Sequence, residues 1–220
     1  SWGLMALSRL VGKPSVRWGL WSGAGVILLA QALTGGRTGY VSWGMVGLAL
    51  CLIKWRKALP LIPLGILAVV LLLPGVRERM LMGFHSDSGS IQVGSDASAI
   101  TSGRTVIWPY VIEKIKASPL IGYGRLAMVR TGLYDWLGAE LNEVFRHPHN
   151  AYLEQLFDGG IAGFLSIMAL YYLAFTRSLG LFIDRESRLF EAAGGFALAL
   201  LLALLVGGMG GGRSIPAKEW

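Results

Sequence analysis

The feature that most constrains this chain is the way its charge is parcelled out. Stretches almost free of Asp, Glu, Lys and Arg alternate with short basic connections, and one long polar segment interrupts the series. A hydrocarbon core ~30 Å thick takes ~20 apolar residues per helical crossing. Within it, every backbone amide must be bonded inside its own segment. The pattern therefore predicts an all-α fold: a polytopic membrane helix bundle with one long extracytoplasmic loop containing an amphipathic helix. Composition agrees, with 54% hydrophobic and 15% charged residues and a mean hydropathy of +0.56, against about 25% charged in ordinary soluble domains. Eight Trp and 31 Gly fit interfacial anchoring and close helix contacts. Cys51 is the one cysteine, so neither an intramolecular disulfide nor a cysteine metal cluster is expected. The net charge of +7 would suit nucleic acid, but the basic residues flank apolar runs, where a positive loop bias is expected anyway. Nucleic acid is thus not an expected partner, whereas membrane lipids are.

Taken in order, three spanning segments are predicted at 18–34, 40–53 and 58–73, inside a first membrane domain at 1–75. A glycine turn at 35–39 and the basic knot Lys54-Trp55-Arg56-Lys57 separate them, and Pro74-Gly75 stops the third. The long polar segment, 76–149, opens with a Ser/Gly/Asp-rich loop at 84–102. It continues with helical spacing of Ile107, Trp108, Val111, Ile112 and Ile115, bent near Pro109, and then the turn 119–124. The third domain, 150–220, holds spans at 151–175 and 190–212 joined by a charged connection at 177–188. The chain starts at Ser1 in apolar sequence with no signal-peptide order, and reads as part of a longer polytopic protein. Arg9, Lys13, Arg17, Lys54, Arg56, Lys57, Arg177, Arg185 and Arg188 fall on one side of an up-and-down path. Arg37, Arg213 and Lys218 fall on the other. The positive-inside rule then puts the long loop outside the cytoplasmic membrane.

The end of that loop, Arg146-His147-Pro148-His149-Asn150, draws attention because an imidazole gains or loses a proton near neutrality. Equally, Pro148 can open a helix, with both histidines and Asn150 merely decorating its cap. Arg37, in a short turn between apolar runs, is either functional or a snorkelling interfacial arginine. Arg104 opens the loop helix, where backbone N–H groups and a guanidinium fork suit phosphate oxygens, or it is simply solvated. Glu154 and Asp158, one helical turn apart, can orient an imidazole, line a polar cavity or pair with an arginine. His147 and His149 have no third ligand at a recognisable spacing, so no metal and no cofactor is expected. Two arginines and a histidine suit an anionic phosphate leaving group and a proton taken from an acceptor hydroxyl.

These residues also fall into a known pattern. His149-Asn150, nine residues, then Gly160 and Gly163 resembles the His-Asn, nine residues, Gly-x-x-Gly pattern of the bacterial O-antigen ligase family. Gly36-Arg37-Thr38-Gly39 is similar to the family's Ser-Arg-Thr-Gly turn, with Gly36 in place of serine. Ser102-Gly103-Arg104 with Trp108, then Pro119-Leu120-Ile121-Gly122-Tyr123-Gly124, resembles the opening of its large periplasmic loop. The resemblance implies a metal-independent inverting glycosyltransferase of the bacterial inner membrane, with a periplasmic site and an undecaprenyl-pyrophosphate-linked glycan as donor. It implies Arg37 and Arg104 on the pyrophosphate and His149 as catalytic base, with His147, Asn150, Glu154 and Asp158 in support. Lipid A-core is the first expected acceptor. Polymerisation of O-antigen or exopolysaccharide, and transfer to protein hydroxyls, share the same donor end. A non-catalytic transporter of lipid-linked glycan would explain the arginines but not His149.

Overall fold

A computed structural model describes residues 1–33, 37–72, 104–141 and 145–211. The loop expected at 84–102 therefore lies outside the described residues. Every regular element among them is helical: α1 (Trp2–Leu7), α2 (Pro14–Leu33), α3 (Arg37–Ile53), α4 (Leu61–Leu72), α5 (Arg104–Ala117), α6 (Ala127–Arg130), α7 (Leu133–Leu141), α8 (Ala151–Ile183) and α9 (Arg188–Gly210). Two of them, α8 and α9, are long and apolar enough to cross a membrane. The 20 residues of α2 include Ser22, Gln31 and three glycines, which dilute its apolar character. Seven large apolar side chains along α8 are exposed, among them Leu165, Leu170 and Leu173, each more than half so. A face like that is hydrophobic without a protein partner, as lipid-facing helices are.

The connection expected at 177–188 is shorter than its charge implied. Helix α8 runs on to Ile183, so Arg177 lies within it, and only residues 184–187 link α8 to α9. Asp184 makes this tight turn possible, its Oδ1 accepting from the amides of Glu186 (2.9 Å) and Ser187 (2.7 Å). Ser187 then caps α9 through Phe190 N–H.

The chain divides into two compact units, Ser1–Met82 with Tyr171–Gly207, and Gly83–Leu170 with Gly208–Trp220. In the first, Trp2, Trp43, Val46, Leu50, Phe182 and Leu198 form the core. Trp2 lies across Gly47, where a Cβ would meet its ring at 2.1 Å, and donates Nε1 to Trp43 O at 2.8 Å. The ends of α3, α8 and α9 are tied by Lys54, whose Nζ donates to Phe182 O and Asp184 O, both at 2.9 Å, and lies 3.4 Å from Glu191. Arg9 reaches the same carboxylate at 3.0 Å. The three basic connections thus gather at one end of this unit.

The second unit packs α5, α6 and α7 through Ile107, Val111, Met128, Leu133 and Leu137 onto Phe145 and Phe157. Its other feature is an interlock between the 119–124 turn and α8. Gly160 leaves the helical region (φ 60, ψ −165) and interrupts α8. The break releases the carbonyls of Phe157 and Asp158 and the amides of Ile161 and Ala162. All four find partners in the turn: Tyr123 N–H to Phe157 O (3.1 Å), Gly124 N–H to Asp158 O (2.8 Å), Ile161 N–H to Pro119 O (2.8 Å) and Ala162 N–H to Leu120 O (3.1 Å). Each of the four freed groups thus gains its own partner, which matters because a backbone group buried without one costs more than a net hydrogen bond returns. The backbones are so close that a Cβ at Gly160 would sit 2.4 Å from Leu120 C and O, and one at Gly122 2.6 Å from Asp158 O.

Candidate active site

Local sequence explains how the His-Pro-His-Asn stretch is presented. Asn150 caps α8, its Oδ1 accepting from Tyr152 N–H (2.9 Å) and Leu153 N–H (3.1 Å). Asn150 thus does belong to the cap, but the helix opens at Ala151 and not at Pro148. Pro148 is fully buried, and its carbonyl accepts from Trp108 Nε1 at 2.9 Å, which pins the stretch to α5. His149 sits between these anchors in the left-handed region at φ 53, uncommon for a residue with a Cβ. Its amide donates to His147 Nδ1 at 3.3 Å, leaving the His147 proton on Nε2, and the two rings lie 4.3 Å apart. Phe145 approaches the His149 ring edge-on at 6.4 Å.

Arg104 stands at the start of α5 in the same unit, and its Nη2 donates to the carbonyl of Gly210. Its Nε is buried with no hydrogen-bond partner among the described residues. Arg104 and His149 are 45 positions apart in sequence, yet the guanidinium field reaches the imidazole. Burial first, and the Arg104 charge second, hold the His149 pKa below its ordinary 6.5. His149 is accordingly neutral at pH 7, with a nitrogen lone pair available. The end of α9 closes the surroundings, since a Cβ on Gly211 would lie 4.0 Å from His149 Nδ1.

The other expected members are placed differently. Asp158 accepts from Ala127 N–H at 3.0 Å through Oδ1, and its backbone takes part in the interlock, so its visible work is to fasten α6 and the turn to α8. Glu154 is half-buried on the first turn of α8. Arg37 opens α3 in the first unit, and its side chain lies outside the described residues. No three His, Cys, Asp or Glu side chains converge as a metal site among the described residues.

A profile of the O-antigen ligase family matches residues 22–168, more than half of the sequence. The chain belongs to the O-antigen ligase family. A proposed polysaccharide ligase of Rickettsia conorii is 23% identical over 154 residues, 67% of this chain and 36% of the relative. One of Rickettsia prowazekii is 34% identical over 74 residues, 31% of this chain and 18% of the relative. The chain thus spans little more than a third of the longer of these two matches. The match gives the chain a membrane-protein family whose description is O-antigen ligase.

Within this O-antigen ligase domain, the Gly-x-x-Gly and Pro-Leu-Ile-Gly-Tyr-Gly motifs are two halves of the interlock, joined through backbone groups, while the Tyr123 hydroxyl donates to Lys114 O at 3.0 Å. Their joint meaning was hidden because nothing in either motif says that it pairs with the other. Trp108 was legible as part of the pattern, but not as the donor that holds Pro148. The available signal was its spacing, one helical turn after Arg104. The glycines ending α9 came with no signal.

Proposed function

We propose that this chain carries the donor side of a metal-independent, inverting glycosyl transfer on the periplasmic face of the bacterial inner membrane. The donor is an undecaprenyl-pyrophosphate-linked glycan, and the first acceptor is the lipid A-core, making the reaction an O-antigen ligation. In this reading the chain is multi-pass, with 76–149 as its periplasmic loop.

The observation that carries the proposal is that Arg104, whose buried Nε–H has no partner among the described residues, lies within electrostatic reach of His149 in the second unit and, after burial, helps to hold that imidazole's pKa down. A neutral imidazole accepts the proton of the acceptor hydroxyl as its oxygen attacks the anomeric carbon. The glycosidic C–O bond on the opposite face breaks, and undecaprenyl pyrophosphate leaves with the electron pair. Attack from the face opposite the leaving group inverts the anomeric centre. The charge growing on the pyrophosphate is met by the Arg104 guanidinium and, as the family resemblance implies, by Arg37. His149 then gives its proton to water. His147, with its proton on Nε2 and its Nδ1 on the His149 amide, holds the left-handed turn. Asn150 and Asp158 act through the helix cap and the interlock, and Glu154 lies on the same first turns of α8.

The test is transfer by the full-length protein in membranes supplied with lipid-linked donor and acceptor. His149→Ala should lower the rate by ~10²–10⁴-fold, as loss of a general base does, with abundance and insertion near wild type. A rate like that of the wild type would refute the assignment. Glycan profiling of a deletion strain separates the related chemistries. Unligated long chains mark a ligase, single repeats a polymerase, and unmodified protein acceptors a protein transferase.

A further inference from the structure

The first unit contains a cavity of about 740 Å³ between the α1–α2 connection, the first turns of α2 and the start of α9. Its charged lining is Arg9, Arg17, Arg188 and Glu191, and Trp18 and Trp21 also line it. These charges do not balance. Glu191 already serves two cations, Arg9 at 3.0 Å and Lys54 at 3.4 Å. Arg17 and Arg188 are answered by no carboxylate among the described residues. Arginine is the side chain suited to phosphate oxygens, offering planar paired donors.

The apolar part of the cavity identifies the source of the phosphate. Trp18 is 70% exposed and Trp21 40% exposed. Indoles left open beside a cluster of arginines are what membrane–water interfaces contain, one end apolar and one end wet. Leu10 and Val16, on the same stretch of chain, are also open, 40% and 49% exposed. Free phosphate would have no use for this surface, and the volume is several times what such an ion needs. A glycerophosphate headgroup with its acyl chains along the indoles uses both parts. The volume also falls within the range typical of small-molecule sites.

We propose that this cavity is a binding site for the phosphodiester headgroup of an anionic phospholipid, held by Arg17 and Arg188 with its chains against Trp18 and Trp21. It lies in the first unit and shares no residue with the site of Arg104 and His149. Basic pockets between membrane helices are a known means of capturing anionic headgroups.

The experiment uses full-length protein in detergent, with native mass spectrometry reading retained lipid after titration with phosphatidylglycerol or phosphatidylcholine. Inorganic phosphate is added as competitor in a parallel arm. Wild type should retain phosphatidylglycerol in preference to phosphatidylcholine, and Arg17→Gln with Arg188→Gln should weaken that retention about tenfold or more. Arg17→Lys with Arg188→Lys should give an intermediate value, since the charges stay and the forks are lost. A monodisperse elution profile identifies the variants that are folded, and the lysine pair keeps the comparison open if the glutamine pair is not. Equal retention of both lipids, or retention untouched by either pair, would overturn the proposal. Displacement by millimolar phosphate would make the ligand a soluble anion and overturn the lipid assignment. A cysteine at Trp18 that stays unreactive in lipid-free protein would show another part of the full chain seated there, with the same consequence.

Discussion

At the scale of single residues, the chemistry depends on which protonation state His149 keeps. Burial and the nearby Arg104 charge both disfavour the imidazolium, so its pKa is displaced downward from 6.5. A base with a lowered pKa stays neutral to lower pH, so the acid limb of transfer should have its midpoint below 6.5. A midpoint above that value in the pH dependence of kcat/KM would contradict the assignment. Removing the charge with Arg104→Gln should move the limb upward, though not fully, because burial is the larger cause. Arg104→Lys should leave the limb near the wild-type position but weaken donor use, as an ammonium lacks the planar fork. A shift in the lysine variant as large as in the glutamine one would show that Arg104 acts on His149 by position rather than by charge.

At the scale of elements, the interruption of α8 matters most. Gly160 holds a backbone conformation that is essentially confined to glycine, and its missing side chain lets the 119–124 turn approach. Gly160→Ala should cost about 3 kcal/mol from backbone strain and steric conflict together. It should also detach the turn, and with it the support that Asp158 gives to Ala127. Thermal unfolding in detergent reads the first effect. Proteolysis near Gly124 reads the second, becoming faster in the variant. An alanine variant as stable as the wild type would mean that α8 can run straight and that the interlock is optional. Helix α5 needs no such device, since Ile107 and Val111 recur one turn apart and are both fully buried.

For the whole molecule, the issue is which end faces which compartment. Lys54, Phe182, Asp184, Glu191 and Arg9 are bonded to one another, so the three basic connections occupy one end of the first unit. With Cys51 replaced, cysteines at Arg56 and Arg185 should react with an impermeant maleimide only after the membrane is opened. A cysteine at Arg146, which is exposed, should react in intact spheroplasts. The reverse pattern would place the His149 stretch in the cytosol and remove the proposed function. Arg177 does not belong with the loop charges, because it lies in α8, two turns before its end.

Sequence alone determined what depends on chain-local physics. The apolar runs dictated helices, the spacing from Ile107 to Ile115 dictated α5, Asn150 dictated a cap, and motif order pointed to the family. Tertiary structure decided what depends on partners distant along the chain. It joined Gly160 to Gly122, set Trp108 on Pro148, assigned Asp158 to a backbone amide and brought Arg104 within electrostatic reach of His149. Periodicity and capping are written in a few neighbouring residues, whereas a bond between two loops leaves no mark in either loop by itself.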